Sequence, residues 1–181
     1  MSAPNKDLRI AQGAVVCVEN KIEGSVSIGP KSLLHPRCSI IAEGGPIIVG
    51  ECNIFEEQSV VKHKVDSLRK DRPNTLIIGS NNIFEVGCTV LAKVIGDNNV
   101  FESKCYVGPD IEIGNGCIIG AGVTLTAAER LPDNVIITGT NYNRTIASDR
   151  PQPQTLQLDF LMKVLPNYHH LRKPRERPNV L

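Results

Sequence analysis

Large aliphatic or aromatic residues recur six apart along most of the chain, at Ile10, Val16, Ile22, Ile28, Leu34 and Ile40 without a break. The phase shifts across Glu43-Gly44-Gly45-Pro46 and resumes at Val49, Phe55 and Val61; a further run holds Ile78, Phe84 and Val90. One shortened step leads to the longest run, Ile95, Phe101, Val107, Ile113, Ile119 and Leu125, with Leu131 and Ile137 as weaker extensions. A helix repeats its apolar face about every 3.6 residues and a strand alternates every second residue, so neither produces this spacing. Two residues before these positions lies a second column of mostly small side chains, Ala14, Val26, Ser32, Cys38, Ser59, Cys88, Cys105, Cys117 and Val123, with Asn20, Asn53, Asn82 and Asn99 as polar exceptions. Glycine follows the large residue at 29, 50, 79, 96, 108, 114 and 120. This order predicts a flat-sided parallel β-helix: short strands turn the large residue inward, and Gly and Asn relieve corners that need positive φ or close backbone approach.

Over roughly residues 10 to 137 the signature resembles the left-handed parallel β-helix of the hexapeptide-repeat proteins, an all-β fold in which three hexads close one triangular coil. About eighteen strong hexads imply about six coils, stacked about 4.8 Å apart. Each coil buries its inward residues against the next. Insertions in such a stack project outward. The extra residues at 43–46 therefore read as a corner bulge, and residues 62–75 as a protruding loop. Between 62 and 73 that loop carries five basic and two acidic residues. A solvated loop, a protein contact and a phosphate contact are all compatible with it, and Lys64, Arg69 and Arg72 are its candidate contact residues.

The period fades through Asn141-Tyr142-Asn143-Arg144, and Arg150-Pro151-Gln152-Pro153 marks a break. The chain thus divides into a β-helical body, 1–149, and a C-terminal linker, helix and basic tail, 150–181. From Gln154 to Leu165 the period changes: Leu158, Leu161 and Leu165 are three and four apart, which predicts a helix of about three turns stopped near Pro166. Phe160, Leu165 and Tyr168 are the candidates for docking it, against the prism or against a neighbour. The tail from Leu171 to Pro178 is basic, and reads as a frayed end or as an electrostatic contact to an acidic protein surface.

Twenty Lys and Arg oppose 19 Asp and Glu, which gives no global reason to expect nucleic acid or an anionic membrane as partner. Aromatics make up 4% and Trp is absent, so the core must be aliphatic. No run approaches the ~20 apolar residues of a spanning helix, and the first residues lack the apolar stretch of a secretory signal. A cytosolic address is therefore expected, without membrane insertion. The six cysteines form no Cys-x-x-Cys pair. Four of them fall in the small inward column, as buried free thiols do in a reducing compartment.

Two enzyme classes share the fold. In the γ-class carbonic anhydrases three histidines on successive coils hold zinc between subunits. The run Asn53-Ile54-Phe55-Glu56-Glu57-Gln58-Ser59-Val60-Val61-Lys62-His63 resembles that family's stretch up to its first ligand, which maps onto His63. The other two ligand positions hold Val86 and Leu91, whose carbons donate no lone pair, so no metal site and no cofactor are implied. The hexapeptide acyltransferases use a histidine as general base. His35, directly after Leu34, is expected to point outward, and neither it nor His63 comes with a nucleophile and an orienting group. His169 and His170 are adjacent and point apart. No catalytic residue is assigned.

Asn81-Asn82-Ile83-Phe84-Glu85-Val86-Gly87-Cys88, Gly96-Asp97-Asn98-Asn99-Val100-Phe101-Glu102-Ser103-Lys104 and Tyr106-Val107-Gly108 resemble the small β-helical subunits of dynactin, and the run from Arg150 to Leu171 resembles the p27 type in particular. The resemblance implies a non-catalytic subunit of the pointed-end complex, paired with the p25 subunit and adjoining the pointed-end actin-related subunit and p62. It further implies an indirect association with dynein, a role in microtubule transport and cargo attachment, and a place in the cytoplasm on the cytoskeleton. A γ-carbonic-anhydrase-like or acyltransfer enzyme, and a β-helical assembly module outside dynactin, are the alternatives.

Overall fold

The computed structural model describes residues 7–64 and 74–174. Their six-residue period winds into seven triangular coils. The first three coils contain β1 (Leu8–Ile10), β2 (Val15–Val16) and β3 (Lys21–Glu23); β4 (Val26–Ile28), β5 (Leu33–Leu34) and β6 (Ser39–Ala42); and β7 (Ile47–Val49), β8 (Ile54–Phe55) and β9 (Val60–His63). Next come β10 (Leu76–Ile78), β11 (Ile83–Phe84) and β12 (Thr89–Val90), then β13 (Val94–Ile95), β14 (Val100–Phe101) and β15 (Tyr106–Val107). The stack closes with β16 (Ile111–Ile113), β17 (Ile118–Ile119) and β18 (Thr124–Leu125), then β19 (Glu129–Leu131) and β20 (Val135–Thr138). Every third strand belongs to the same wall. β1 to β19 form a first sheet of seven strands, β2 to β20 a second and β3 to β18 a third of six, all parallel. The fold is the left-handed parallel β-helix of hexapeptide-repeat proteins. It has seven coils where about six were expected, because the weaker hexads at Leu131 and Ile137 are wall positions in register with Ile113 and Ile119.

The large column is the core. Ile10, Ile28, Val49, Ile78, Ile95, Ile113 and Leu131 stack in register along the first sheet. Along the second sheet Phe55, Phe84 and Phe101 continue the column as a buried aromatic stack, with centroids 4.5 and 4.8 Å apart and rings within 4° and 10° of parallel. The stack keeps the coil spacing, so each ring meets the one above it face to face.

The asparagines that break the small column do so with a purpose. The backbone N–H of Asn82 donates to Asn53 Oδ1 (2.9 Å), that of Asn99 to Asn82 Oδ1 (2.9 Å) and that of Cys117 to Asn99 Oδ1 (2.7 Å), a buried ladder that satisfies corner amides inside the prism. Positive φ does fall on Gly and Asn, but not on the glycines that follow the large residues: it marks a separate corner column of Gly13, Lys31, Cys52, Asn81, Asn98, Gly116 and Asn134. The glycine after the large residue serves close approach: a Cβ on Gly29 would run into the carbonyl oxygen of Gly50 on the next coil.

The bulge at 43–46 is held by the N–H groups of Glu43 and Gly44, both donating to the carbonyl oxygen of His63 (3.1 and 2.8 Å). The wall runs further than expected beyond Val61. Lys62 and His63 belong to β9, in register with Ile41 and Ala42, and so are wall rather than the start of the protruding loop expected at 62–75, of which 65–73 lie outside the described residues. Beyond the coils, β21 (Asn143–Ile146) folds back antiparallel on β20, where the sequence showed only a fading period.

Candidate interaction surface

The second sheet turns an aliphatic column outward as well as inward: Val15, Leu33 and Ile54 sit on consecutive coils. Exposed, such a column would leave apolar surface in water. The helix α1 (Thr155–Tyr168) covers it. Leu158 and Leu165 are buried against Val15, Leu33 and Ile54, with Leu161, Met162 and Leu171 packed at the margin. Gln157 Nε2 donates to Glu56 Oε1 (3.3 Å), fixing the first turn to the prism. Burial, then the neighbouring Glu85 carboxylate, hold the Glu56 carboxyl above the usual range, opposed by the hydrogen bonds it accepts from Val86 N–H and Gln157. The helix does not stop at Pro166 but carries it inside and ends at Tyr168, with His169 N–H donating to Leu165 O (2.9 Å). A proline so near the C-terminus forfeits one backbone hydrogen bond, and Leu165 on the prism holds the turn in place.

After the helix the chain runs antiparallel to β2. Leu171 bridges Cys17, Val18 N–H donates to His170 O (2.9 Å), and Arg172 N–H donates to Val16 O (2.8 Å). The Arg172 guanidinium donates to the carbonyls of Val18 and Asn20, each at 3.1 Å. Leu171 and Arg172 are therefore docked, where a frayed or partner-bound basic tail was expected; 175–181 lie outside the described residues. His169 Nδ1 stands 3.5 Å from a Glu19 carboxylate oxygen, and the two histidines share no ligand geometry.

The candidate docking residues separate. Leu165 is buried on the prism, whereas Phe160 and Tyr168 are 63% and 78% exposed, joined by Leu156 at 86%. Leu156 follows from the same helical spacing, four residues before Phe160, but the sequence reading centred on the buried stripe missed it. Lys64 is exposed just after β9; Arg69 and Arg72 lie outside the described residues.

The histidine positions do not converge. His63 is buried under the 43–46 bulge, its Nδ1 3.3 Å from Gly45 O. Val86 lies just beyond β11, at the opposite margin of the third sheet, and Leu91 is a buried aliphatic just beyond β12. Among the described residues no three His, Cys, Asp or Glu side chains are grouped to hold a metal. His35 points off the wall, as expected, yet it is only partly exposed and its Nε2 is buried without a hydrogen-bond partner among the described residues. Burial pushes its pKa down; Glu57 opposes this and His169 adds to it. The six cysteines are free, and burial raises the thiol pKa of Cys17 to about 11, with Glu19 adding to the rise, away from reactive thiolate character.

A left-handed prism of hexapeptide repeats, with its own C-terminal helix packed on one face and exposed aromatics on the helix's outer side, defines a protein of the hexapeptide-repeat class. Residues 92–127 match the family model described as bacterial transferase hexapeptide (six repeats). A solved hexapeptide transferase family protein from Anaplasma phagocytophilum shares the fold, with a TM-score of 0.65 at 19% identity over 89% of this chain and 88% of that one. Closer in sequence, Dynactin subunit 6 of Xenopus tropicalis is 51% identical over 94% of this chain and 87% of its own, and Dynactin subunit 6 of Danio rerio 49% identical over 93% and 89%. The chain belongs to the dynactin subunit 6 family.

Proposed function

We propose that the protein is a non-catalytic structural subunit of dynactin, seated in the pointed-end complex beside the p25 subunit and adjoining the pointed-end actin-related subunit and p62. In this reading it works in the cytoplasm on the cytoskeleton, indirectly associated with dynein, and supports microtubule transport and cargo attachment. The observation that carries the reading is the 51% identity to a Dynactin subunit 6 over 94% of the chain. The geometry is compatible with it. A stacked prism offers rigid faces that lose little conformational freedom on binding, and Leu156, Phe160 and Tyr168 are large apolar anchors of the kind that dominate protein contacts. Phe160 and Tyr168, with the basic residues Lys64, Arg69 and Arg72, are assigned to contacts with neighbouring subunits, and Leu165 to the prism itself.

The test is the native mass and composition of the assembly recovered with the tagged chain from a gentle extract. A large assembly containing actin-related proteins and p25 is the expected result. A homotrimer without those partners would sink the reading and return weight to the enzymes of the same fold.

A further inference from the structure

The first sheet carries an outward column that the helix-clad face does not explain. Ile48, Ile77 and Val94 occupy equivalent outward positions on β7, β10 and β13, three consecutive coils, and are 45%, 62% and 47% exposed. The same column is polar on either side: Arg9 and Ser27 precede the aliphatic stretch, and Glu112 and Arg130 follow it. An apolar centre with a polar rim is the anatomy of a contact surface. Strand propensity alone does not require these residues. Threonine is β-branched without being apolar, and the third sheet places Lys21, Ser39, Thr89 and Thr124, alongside Val60 and Tyr106, at its outward positions.

The molecule itself shows what fits such a column. On the second sheet the outward column is aliphatic on all seven coils, continuing through Ile83, Val100, Ile118 and Ile136, and α1, whose Leu158 and Leu165 lie seven residues apart, buries its first three members, Val15, Leu33 and Ile54. Seven helical residues rise about 10.5 Å, and two coil spacings measure about 9.6 Å. Leucines at i and i+7 therefore keep pace with the coils when the helix runs along the prism. The three side chains of the first sheet offer only a few hundred Å² between them, well short of the roughly 800 Å² per partner of a stable interface between two whole subunits. A single helix that is part of a larger contact suits that area.

We propose that the Ile48–Ile77–Val94 column is a docking site for an amphipathic helix supplied by a different protein chain, with apolar residues at i, i+3 or i+4, and i+7, running along the prism axis as α1 does on the neighbouring face. The inference stands on the two columns and their spacing, independently of which assembly the protein joins.

A photo-cross-linking amino acid placed at position 77 of the full-length tagged chain tests it, with the adduct mapped by mass spectrometry in the native assembly. The expected adduct is to a helical segment of another polypeptide with that apolar spacing. The Ile77→Asp variant should melt like the wild type, because the side chain is exposed, while retention of that polypeptide falls at least tenfold. An adduct to a second copy of this chain or to a strand, no adduct, or undiminished retention with Ile77→Asp overturns the proposal. If the wild-type chain recovers no dynactin subunit, the assembly reading fails, and the position-77 adduct still judges the column.

Discussion

At the scale of single residues, stability rests on side chains that repeat with the coil. Phe84 lies between Phe55 and Phe101, stacked on both. Phe84→Ala should cost about 3–5 kcal/mol in denaturant unfolding, since the coils above and below prevent collapse onto the void. A loss below about 1 kcal/mol would mean that the stack relaxes. His35 gives a pH dependence with a definite sign. Its pKa is lowered by burial, so the unfolded chain takes up a proton before the folded one does. Its contribution is intact above the ordinary imidazole pKa of about 6.5 and becomes a penalty as pH falls through that value towards the lowered one. The melting temperature of His35→Gln should therefore fall less steeply than that of the wild type between about pH 7 and 5. Parallel curves would assign the acid sensitivity to another group.

At the scale of elements, α1 has two apolar sides with separate tasks, and substitutions should separate them. Leu165→Asp puts a carboxylate among Val15, Leu33 and Ile54 and should destabilise the protein by about 3 kcal/mol or more, with loss of soluble yield. Phe160→Ala on the outer side should change stability by no more than about 0.5 kcal/mol, and its effect should appear in the recovery of neighbouring subunits instead. Equal melting of both variants would place Leu165 outside the seam. The sequence showed the helix and its leucines, because a three-and-four spacing is visible wherever it occurs. It did not show which partner the leucines meet, since Val15, Leu33 and Ile54 are outward residues whose significance emerges only when the coils are stacked. Nor did it show that the helix crosses Pro166, where tertiary burial of Leu165 overrides a local stop signal.

At the scale of the whole molecule, the prism was the most legible feature. A six-residue period is a direct copy of the wall geometry, and the register of the large column in all three sheets follows it residue for residue. The corners were less legible. Close approach and positive φ are different constraints, and a sequence shows only that Gly and Asn are frequent, not that Gly29 answers the first and Asn81 the second. The aliphatic column on the first sheet was missed because inward hexad positions were read and outward ones were not, although Ile48, Ile77 and Val94 each directly precede a residue of the large column. The docking of residues 170–172 on β2 is scarcely legible in the sequence, since it joins backbone to backbone and the Arg172 guanidinium to backbone carbonyls, acceptors that every residue carries. Truncation after His169 should nevertheless be felt at the far end of the chain: the Val18 amide, which donates to His170 O, should exchange about tenfold faster, the equivalent of one or two hydrogen bonds at about 1 kcal/mol each.

That same junction alters the order in which the protein can be completed. A stacked solenoid is ordinarily a linear array that can consolidate from its first repeat while later ones are still being synthesised. Here the exposed edge of the first coil receives its neighbour from residues 170–172, and the edge of the last receives β21. The opening coil is the first to leave the ribosome and among the last to be finished. A nascent chain without α1 shows a bare aliphatic column, and one without residues 170–172 an unsealed edge, so the first coils stay vulnerable until segments more than a hundred residues later have been made.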